Sequence, residues 1–149
     1  MLSSNEGDVI GKVSTIISDL RTLKGGVLLY ISDPSEDHSV MPAMNTNNLD
    51  LIVAYEDNPE KYTSKEYSFY VTPGIGWVGY DTGAKSKALG EKLAWRNSSI
   101  GLYGSPQLDT PPLSTDKSNL YTSEDRVVWM PVTLPPVPQD NAQEEKATP

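Results

Sequence analysis

The chain has 149 residues, a formal net charge of −8 and no cysteine, and 37% of its residues are hydrophobic. This length and composition predict one soluble, globular domain with a substantial core. They exclude a disulfide scaffold, a thiolate zinc site and a cysteine nucleophile, and the negative charge and lack of a long apolar run argue against nucleic-acid and membrane partners.

The aromatic and turn-forming residues favour β structure. Eight Tyr and three Trp stand against one Phe, and 12 Pro and 11 Gly divide the chain into short segments. Short segments between turns are typical of β-rich proteins. We therefore expect a mainly β domain with one or two helices over residues 1–134, and a disordered tail rich in proline and acidic residues over 135–149.

Residues 8–24 form the first segment with a clear period. Its apolar side chains occupy a wedge roughly 140° wide at about 100° per residue, as in an amphipathic helix. These side chains are Val9, Ile10, Val13, Ile16, Ile17, Leu20 and Leu23. Gly25-Gly26 would end the helix, whereas the β-branched residues and Gly11 leave a strand as the alternative. If a helix over 8–23 packs on a sheet, the fold is a small α+β domain instead.

The segments that follow mostly predict strands. They span residues 27–32, 49–55, 66–71, 75–80, 99–104 and 126–134. VLLYIS (27–32) and LDLIVAY (49–55) are unbroken apolar runs, which are typical of central strands. Pro131 would place the last strand at a sheet edge, and the glycines of 75–80 indicate bulges or a close approach of neighbouring groups.

A short helix and a long loop complete the pattern. Residues 84–95 predict a helix with Leu89, Leu93 and Trp95 near one face, and 105–125 form a polar loop of a length that is usually functional or mobile. The faces of these elements predict a core of Val27, Leu29, Ile31, Ile52, Ala54, Phe69, Val71, Leu93 and Val128.

The sequence DPSEDH (33–38) gathers three carboxylates beside the only histidine. Asp followed by Pro commonly begins a type I turn or an Asx-turn, and a turn is the simpler interpretation. The alternative is a calcium site with Asp33, Glu36 and Asp37 as ligands, because Ca²⁺ accepts carboxylate oxygens in irregular loops. Since calcium prefers roughly six to eight oxygens, a second segment or a second copy of the chain would complete the site.

Few residue types in the chain support catalysis. His38 is the only imidazole, and the neighbouring serines lie too close to it in sequence for the geometry of a serine triad. Asp33 or Glu36 opposite Asp50 or Glu56 would suit a hydrolase that uses an acid and a base, and this function is kept as an alternative. We expect the protein not to be an enzyme.

Five aromatic residues are suited to stacking on sugars or contacting a partner protein. They are Trp77, Tyr80, Trp95, Tyr103 and Trp129. In a chain with one Phe the same rings are also expected to fill the core. A β-rich recognition module that binds carbohydrate or protein through Trp and Tyr side chains is therefore an alternative function.

Two stretches resemble the jelly-roll coat proteins of small icosahedral positive-strand RNA viruses. In LKGGVLLYISDPSEDHSVMPAM (23–44), a Gly opens a strand that ends in an acidic D-P-x-D-type turn, and a Pro follows several residues later, as in that family. RVVWMPVTLPPVPQ (126–139) is similar to the family's closing strand, which runs into a proline. The resemblance implies an antiparallel jelly-roll sandwich, with calcium at subunit interfaces held by Asp33, Glu36 and Asp37.

The function expected from this resemblance is that of a structural, self-assembling subunit of viral capsid type, or a fragment of one. Its partner would be further copies of itself, with no direct binding of nucleic acid or membrane by this segment. Calcium is the one cofactor implied. The location would be the virion or the host cytoplasm, with the 105–125 loop at the particle surface or a subunit contact.

Overall fold

The computed structural model describes residues 4–35, 42–62, 66–83 and 87–135. The helices and strands follow in the order α1 (Ser4–Ser32), α2 (Leu49–Val53), β1 (Tyr67–Thr72), β2 (Ile75–Asp81), α3 (Lys87–Trp95), α4 (Asn97–Ile100), β3 (Tyr103–Ser105) and β4 (Val127–Thr133). Two short 3-10 helices, Pro59–Tyr62 and Lys117–Asn119, precede β1 and follow β3. None of the described helices combines the length and the apolar character needed to cross a bilayer.

The four described strands form one antiparallel sheet in the order β1-β2-β4-β3. β1 and β2 are a hairpin whose turn uses Gly74 at a φ of 79°, a conformation that favours glycine. β4 then pairs with the other side of β2, and β3 covers only the first half of β4, opposite Val127–Trp129. The second half of β4 is thus an open edge among the described residues.

Helix α1 packs across one face of this sheet and contacts β2 and β4, while α2 and α3 flank it. The helix contributes Val13, Ile16, Leu20, Leu23 and Val27 to the core, and the sheet contributes Phe69, Val78, Tyr80, Val128 and Met130. The architecture is therefore α+β, with a helical layer on an antiparallel sheet.

The prediction of a mainly β jelly-roll sandwich is therefore wrong. The described residues contain more helix than strand, and the strands form a single four-stranded sheet. The largest error is at 27–32, which is the last part of α1 and not a strand. The helical period continues there, since Val27 is fully buried and Leu29 is 54% exposed, whereas alternation in a strand would place both on one face.

Gly26 explains why the helix does not end at Gly25-Gly26. A Cβ at Gly26 would meet the Glu56 carboxylate and would lie 3.1 Å from the Ile52 carbonyl oxygen, so the missing side chain lets α2 approach α1 closely. A Cβ added at Gly25, in contrast, would have no atom within 4 Å. The contact with α2 stabilises a helix that the two glycines would otherwise weaken.

The segment 49–55 is also helical instead of extended. Ile52 is fully buried on α2, whereas Ala54 is exposed and does not join the predicted core. The Asn47 side chain starts this helix and joins it to the sheet, because its Oδ1 accepts hydrogen bonds from the backbone N–H groups of Leu49 (3.1 Å) and Phe69 (3.0 Å). Similarly, the predicted strand 99–104 contains the end of α4 before β3 begins.

The strands at 66–71, 75–80 and 126–134 are confirmed within a few residues. The helix predicted at 84–95 is confirmed over Lys87–Trp95, and residues 84–86 lie outside the described residues. Pro131 lies on the open half of β4. The Thr82 N–H donates to the Arg126 carbonyl, and with this register the even-numbered residues of β4 form their backbone hydrogen bonds with β2. The backbone groups of odd-numbered residues point the other way. Pro131 therefore lacks an N–H only where it would face the open edge. The glycines of β2 mark close approaches, since a Cβ at Gly79 would lie 2.5 Å from the Trp129 ring.

The other face of the sheet is covered by the segment that follows β3. Trp77 and Trp129 are fully buried there, and each indole N–H is bonded, to Thr72 Oγ1 (2.8 Å) and Ser105 Oγ (2.9 Å). The Tyr103 hydroxyl donates to the Thr115 carbonyl at 3.2 Å, which holds the loop against the sheet. The long 105–125 segment therefore protects a second aromatic layer.

Candidate functional site

The acidic turn predicted as a calcium site is described only at its start. Asp33 Oδ1 accepts hydrogen bonds from the Ser35 N–H (2.9 Å) and hydroxyl (2.7 Å), which is an Asx-turn. Asp33 Oδ2 accepts a 2.5 Å hydrogen bond from the Tyr55 hydroxyl. Glu36 and Asp37, like His38, lie outside the described residues, so calcium binding by the three carboxylates stays a prediction.

Asp50 and Glu56, the carboxylates of the next segment, do not complete a metal site in the part of the chain described. Asp50 is exposed on α2, and Glu56 turns inward to Gly26, where its Oε2 is buried without a hydrogen-bond partner among described residues. Burial raises the pKa of Glu56, and the neighbouring Asp57 carboxylate raises it further. Within the four described ranges, no three His, Asp or Glu side chains come together as metal ligands.

The five candidate aromatic residues separate into core and surface. Trp77, Tyr80 and Trp129 are at most 1% exposed and belong to the core. Tyr103 is half-buried against Trp77. Trp95, the last residue of α3, is 80% exposed, which is unusual for so large an apolar ring.

Trp95 lies at one end of a groove between α1 and the α3–α4 pair, which we call the α1–α3 groove. One cavity of about 440 Å³ has a largely apolar and aromatic lining that includes Ile10, Val13 and Trp95. A second cavity of about 460 Å³ is lined by side chains that include Arg21 and several hydroxyl groups. Both cavities are lined by Ser14 and Arg96, so they lie next to each other along the groove.

The groove is positively charged in an otherwise acidic protein. Arg21, Lys92 and Arg96 line its cavities. Glu91, at a third cavity beside Trp95, is the one acidic side chain among the described lining residues. Neither Arg21 nor Arg96 forms an ion pair with another described residue, and the Lys92 amine lies 5.0 Å from the centroid of the Trp95 ring. Guanidinium groups that no described residue pairs with, in the same groove as an exposed indole, suit an anionic ligand with an apolar part.

Local structure explains how these side chains reach the surface. Leu89 and Leu93 are buried one turn apart and fix the inner face of α3, so Trp95, about 200° beyond Leu93, points outward. Gly101, at a φ of 85°, ends α4, and the Asn97 side-chain amide donates to the Tyr121 carbonyl at 2.8 Å. The α3–α4 corner is therefore held rigidly beside α1.

The sequence contained part of this signal. Lys92 and Arg96 are basic residues close together in the sequence, and Trp95 is one of the five candidate aromatic residues. The prediction that Trp95 shares the face of Leu93 is wrong, and the helical angle between the two residues already contradicts it. The position of Arg21 beside Arg96 depends on the packing of α1 against α3, and no local pattern indicates it.

The chain matches no protein-family model, no curated protein and no solved structure at a significant level. The site must therefore be interpreted from its own geometry.

Proposed function

We propose that the protein is a recognition module that binds a segment of a partner protein in the α1–α3 groove. The segment presents an apolar side chain to the Trp95 end of the groove and acidic groups to Arg21 and Arg96. The observation that carries this proposal is the 80% exposure of Trp95 at one end of a groove whose cavities are also lined by Arg21 and Arg96, two residues without an ion-pair partner among described residues.

The composition of the groove suits protein recognition. Trp and Arg are the side chains most enriched among residues that dominate binding energy at protein interfaces, and cavities of this size accept side chains of a partner. Ile10, 44% exposed, extends the apolar surface next to Trp95. Burial of these groups by a partner is favourable because it removes apolar area from water.

Charge selects the kind of partner. With a net charge of −8 for the whole chain, an acidic segment is repelled from most of the surface and attracted to the groove. Carboxylates match guanidinium groups in bidentate pairs, whereas neutral sugars do not use that charge. The groove therefore favours an acidic peptide over carbohydrate.

The capsid hypothesis loses the support of its expected fold, because the described strands form one sheet and not a jelly roll. Assembly from copies of this chain remains a separate prediction.

Selection from a random peptide library displayed on phage tests the proposed function. We expect the full chain to enrich peptides with an apolar residue flanked by Asp or Glu. Trp95→Ala should abolish their binding, while Leu113→Ala should not, since Leu113 is 84% exposed in the loop after β3 and outside the groove. Enriched peptides that bind both variants equally, or no enrichment, would overturn the proposal.

A further inference from the structure

We propose that the cationic end of the α1–α3 groove binds a phosphorylated serine or threonine side chain of the partner segment. We call this end, formed by Ser14, Ser18, Arg21, Thr22 and Arg96, the phosphate subsite. This inference rests on the proposed function, since it specifies which anion the acidic segment carries.

The phosphate subsite has the donors that a dianion needs. Ser14, Ser18 and Arg21 follow one another at helical spacing on the outer face of α1, so their side chains lie along one line. Arg96 lines the same cavity from the end of α3. Two guanidinium groups from different elements can hold a phosphate from two sides, whereas a single carboxylate is satisfied by one of them.

Both guanidinium groups can bind an anion without breaking an ion pair to any described residue. The contrast is Arg126, whose Nε lies 2.9 Å from Asp81 Oδ1 in an ion pair that a ligand would have to break. Arg21 and Arg96 have no such partner among the described residues, and both are exposed. Arg clusters of this kind are a general means of recognising phosphorylated and acidic motifs.

The size of the cavity agrees with a phosphorylated side chain. Its volume of about 460 Å³ exceeds what a carboxylate requires and leaves room for the peptide backbone beside the phosphate. The shared lining residues Ser14 and Arg96 connect this cavity to the one beside Trp95. The partner segment would thus place an apolar residue close to its phosphorylated residue.

Fluorescence polarisation with four degenerate peptide libraries tests the inference on the full chain. The libraries share one design and differ in a fixed central residue, which is phosphoserine, phosphothreonine, serine or glutamate. We expect the phosphorylated libraries to bind about tenfold more tightly than the glutamate library, since charge-assisted bonds to a second guanidinium add to the affinity. Binding should weaken below about pH 6, where phosphate loses its second charge, and only for the phosphorylated libraries.

Matched variants identify the residues responsible. Arg21→Lys and Arg96→Lys keep the charge but lose the bidentate geometry, and each should reduce phosphopeptide affinity by about tenfold. Lys117→Ala, which removes an exposed cation elsewhere, should have no effect. Circular dichroism and the melting temperature verify that each variant is folded.

The outcomes separate the inference from the proposed function. If the glutamate and phosphorylated libraries bind equally and both depend on Arg21 and Arg96, the phosphate inference is wrong and recognition of acidic segments stands. If no library binds, both are wrong. Vesicles containing phosphatidylserine provide the other source of phosphate, and tighter binding to them through the same arginines would overturn the inference in favour of a lipid surface.

Discussion

The hydroxyl of Tyr67 donates a 2.6 Å hydrogen bond to the Asp19 carboxylate and so joins the middle of α1 to the first residue of β1. Asp19 is only 4% exposed, and its other oxygen lies 2.8 Å from the Lys61 amine. Burial raises the pKa of the Tyr67 phenol, and the hydrogen bond to Asp19 raises it further. The buried carboxylate is therefore satisfied by two elements that follow α1 in the chain.

Tyr67→Phe should lower the free energy of unfolding by about 1–3 kcal/mol, because it leaves one oxygen of a buried carboxylate without a donor. Urea denaturation measures the change. Lys61→Met should have a smaller effect, since the Lys61 side chain is 47% exposed and water can replace its amine. Equal stability of Tyr67→Phe and the wild type would show that the Asp19 contact contributes nothing.

The two adjacent glycines of α1 predict opposite effects of the same substitution. Gly25→Ala should stabilise the protein by about 0.5–1 kcal/mol, because alanine favours helix and nothing lies within 4 Å of its Cβ. Gly26→Ala should destabilise it, because its Cβ would meet Glu56 and the Ile52 carbonyl of α2. Thermal unfolding of both variants tests this, and a helix that ended at Gly25 would show no such contrast.

These glycines also show where prediction from sequence reaches its limit. The β1–β2 hairpin is predictable because alternation and the Pro73-Gly74 turn are local signals. The second half of α1 is not predictable in this way, because Gly-Gly followed by an unbroken apolar run fits a strand as well as a helix when only the local sequence is considered. The deciding interaction is the contact of Gly26 with α2, which is tertiary.

The candidate site was predictable only in part for the same reason. Trp95 and Arg96 are recognisable in the sequence as an aromatic and a basic residue at the end of the predicted helix, and the helical angle of Trp95 places its side chain opposite the buried Leu93. Arg21 belongs to another helix far away in sequence. The packing of buried Leu93 against α1 brings the two arginines to one cavity, and that packing leaves no local trace.

Calcium-dependent assembly stays a prediction and has its own test. If Asp33, Glu36 and Asp37 bind calcium between copies, calorimetric titration should give heat, and light scattering should show larger particles that EDTA dissociates. Asp33→Asn/Asp37→Asn should lose both effects. A monomer without heat would leave only the Asx-turn in which Asp33 bonds to Ser35.

Buried tyrosines predict a loss of stability at high pH. Burial raises the pKa of Tyr121 to about 12, and the Asp125 carboxylate adds to this, while a hydrogen bond with Thr82 opposes it. In the unfolded chain a tyrosine ionises near about pH 10. The stability that the buried, neutral Tyr121 contributes is therefore complete below about pH 10 and is lost as the pH rises toward 12. For Tyr121 alone the loss should reach about 2 kcal/mol.

Tyrosinate absorbance and circular dichroism, followed together as the pH is raised, measure this loss. We expect part of the tyrosinate signal to appear only as the ellipticity falls. Tyr121→Phe should be less dependent on pH in this range. Complete ionisation of all tyrosines in a protein that keeps its ellipticity would contradict the burial of Tyr121.

Because of Glu56, we expect the free energy of unfolding to depend on pH in the acid to neutral range. Burial, followed by the charge of Asp57, raises the pKa of Glu56, and Oε2 has no hydrogen-bond partner among the described residues. A raised pKa in the folded state favours the protonated form. The contribution to stability is therefore complete below the unfolded value of about 4.3 and is lost as the pH rises through the folded pKa.

Glu56→Gln should remove that loss, because glutamine stays neutral. We expect the variant to match the wild type near pH 4 and to exceed it by about 1 kcal/mol at most near pH 7, since the carboxyl group is only partly buried. Asp57→Asn, which removes only the neighbouring charge, should give a smaller gain in the same direction. Urea denaturation at both pH values measures these differences. A Glu56→Gln variant that is less stable than the wild type at neutral pH would show that the carboxylate has a partner that stabilises its charge.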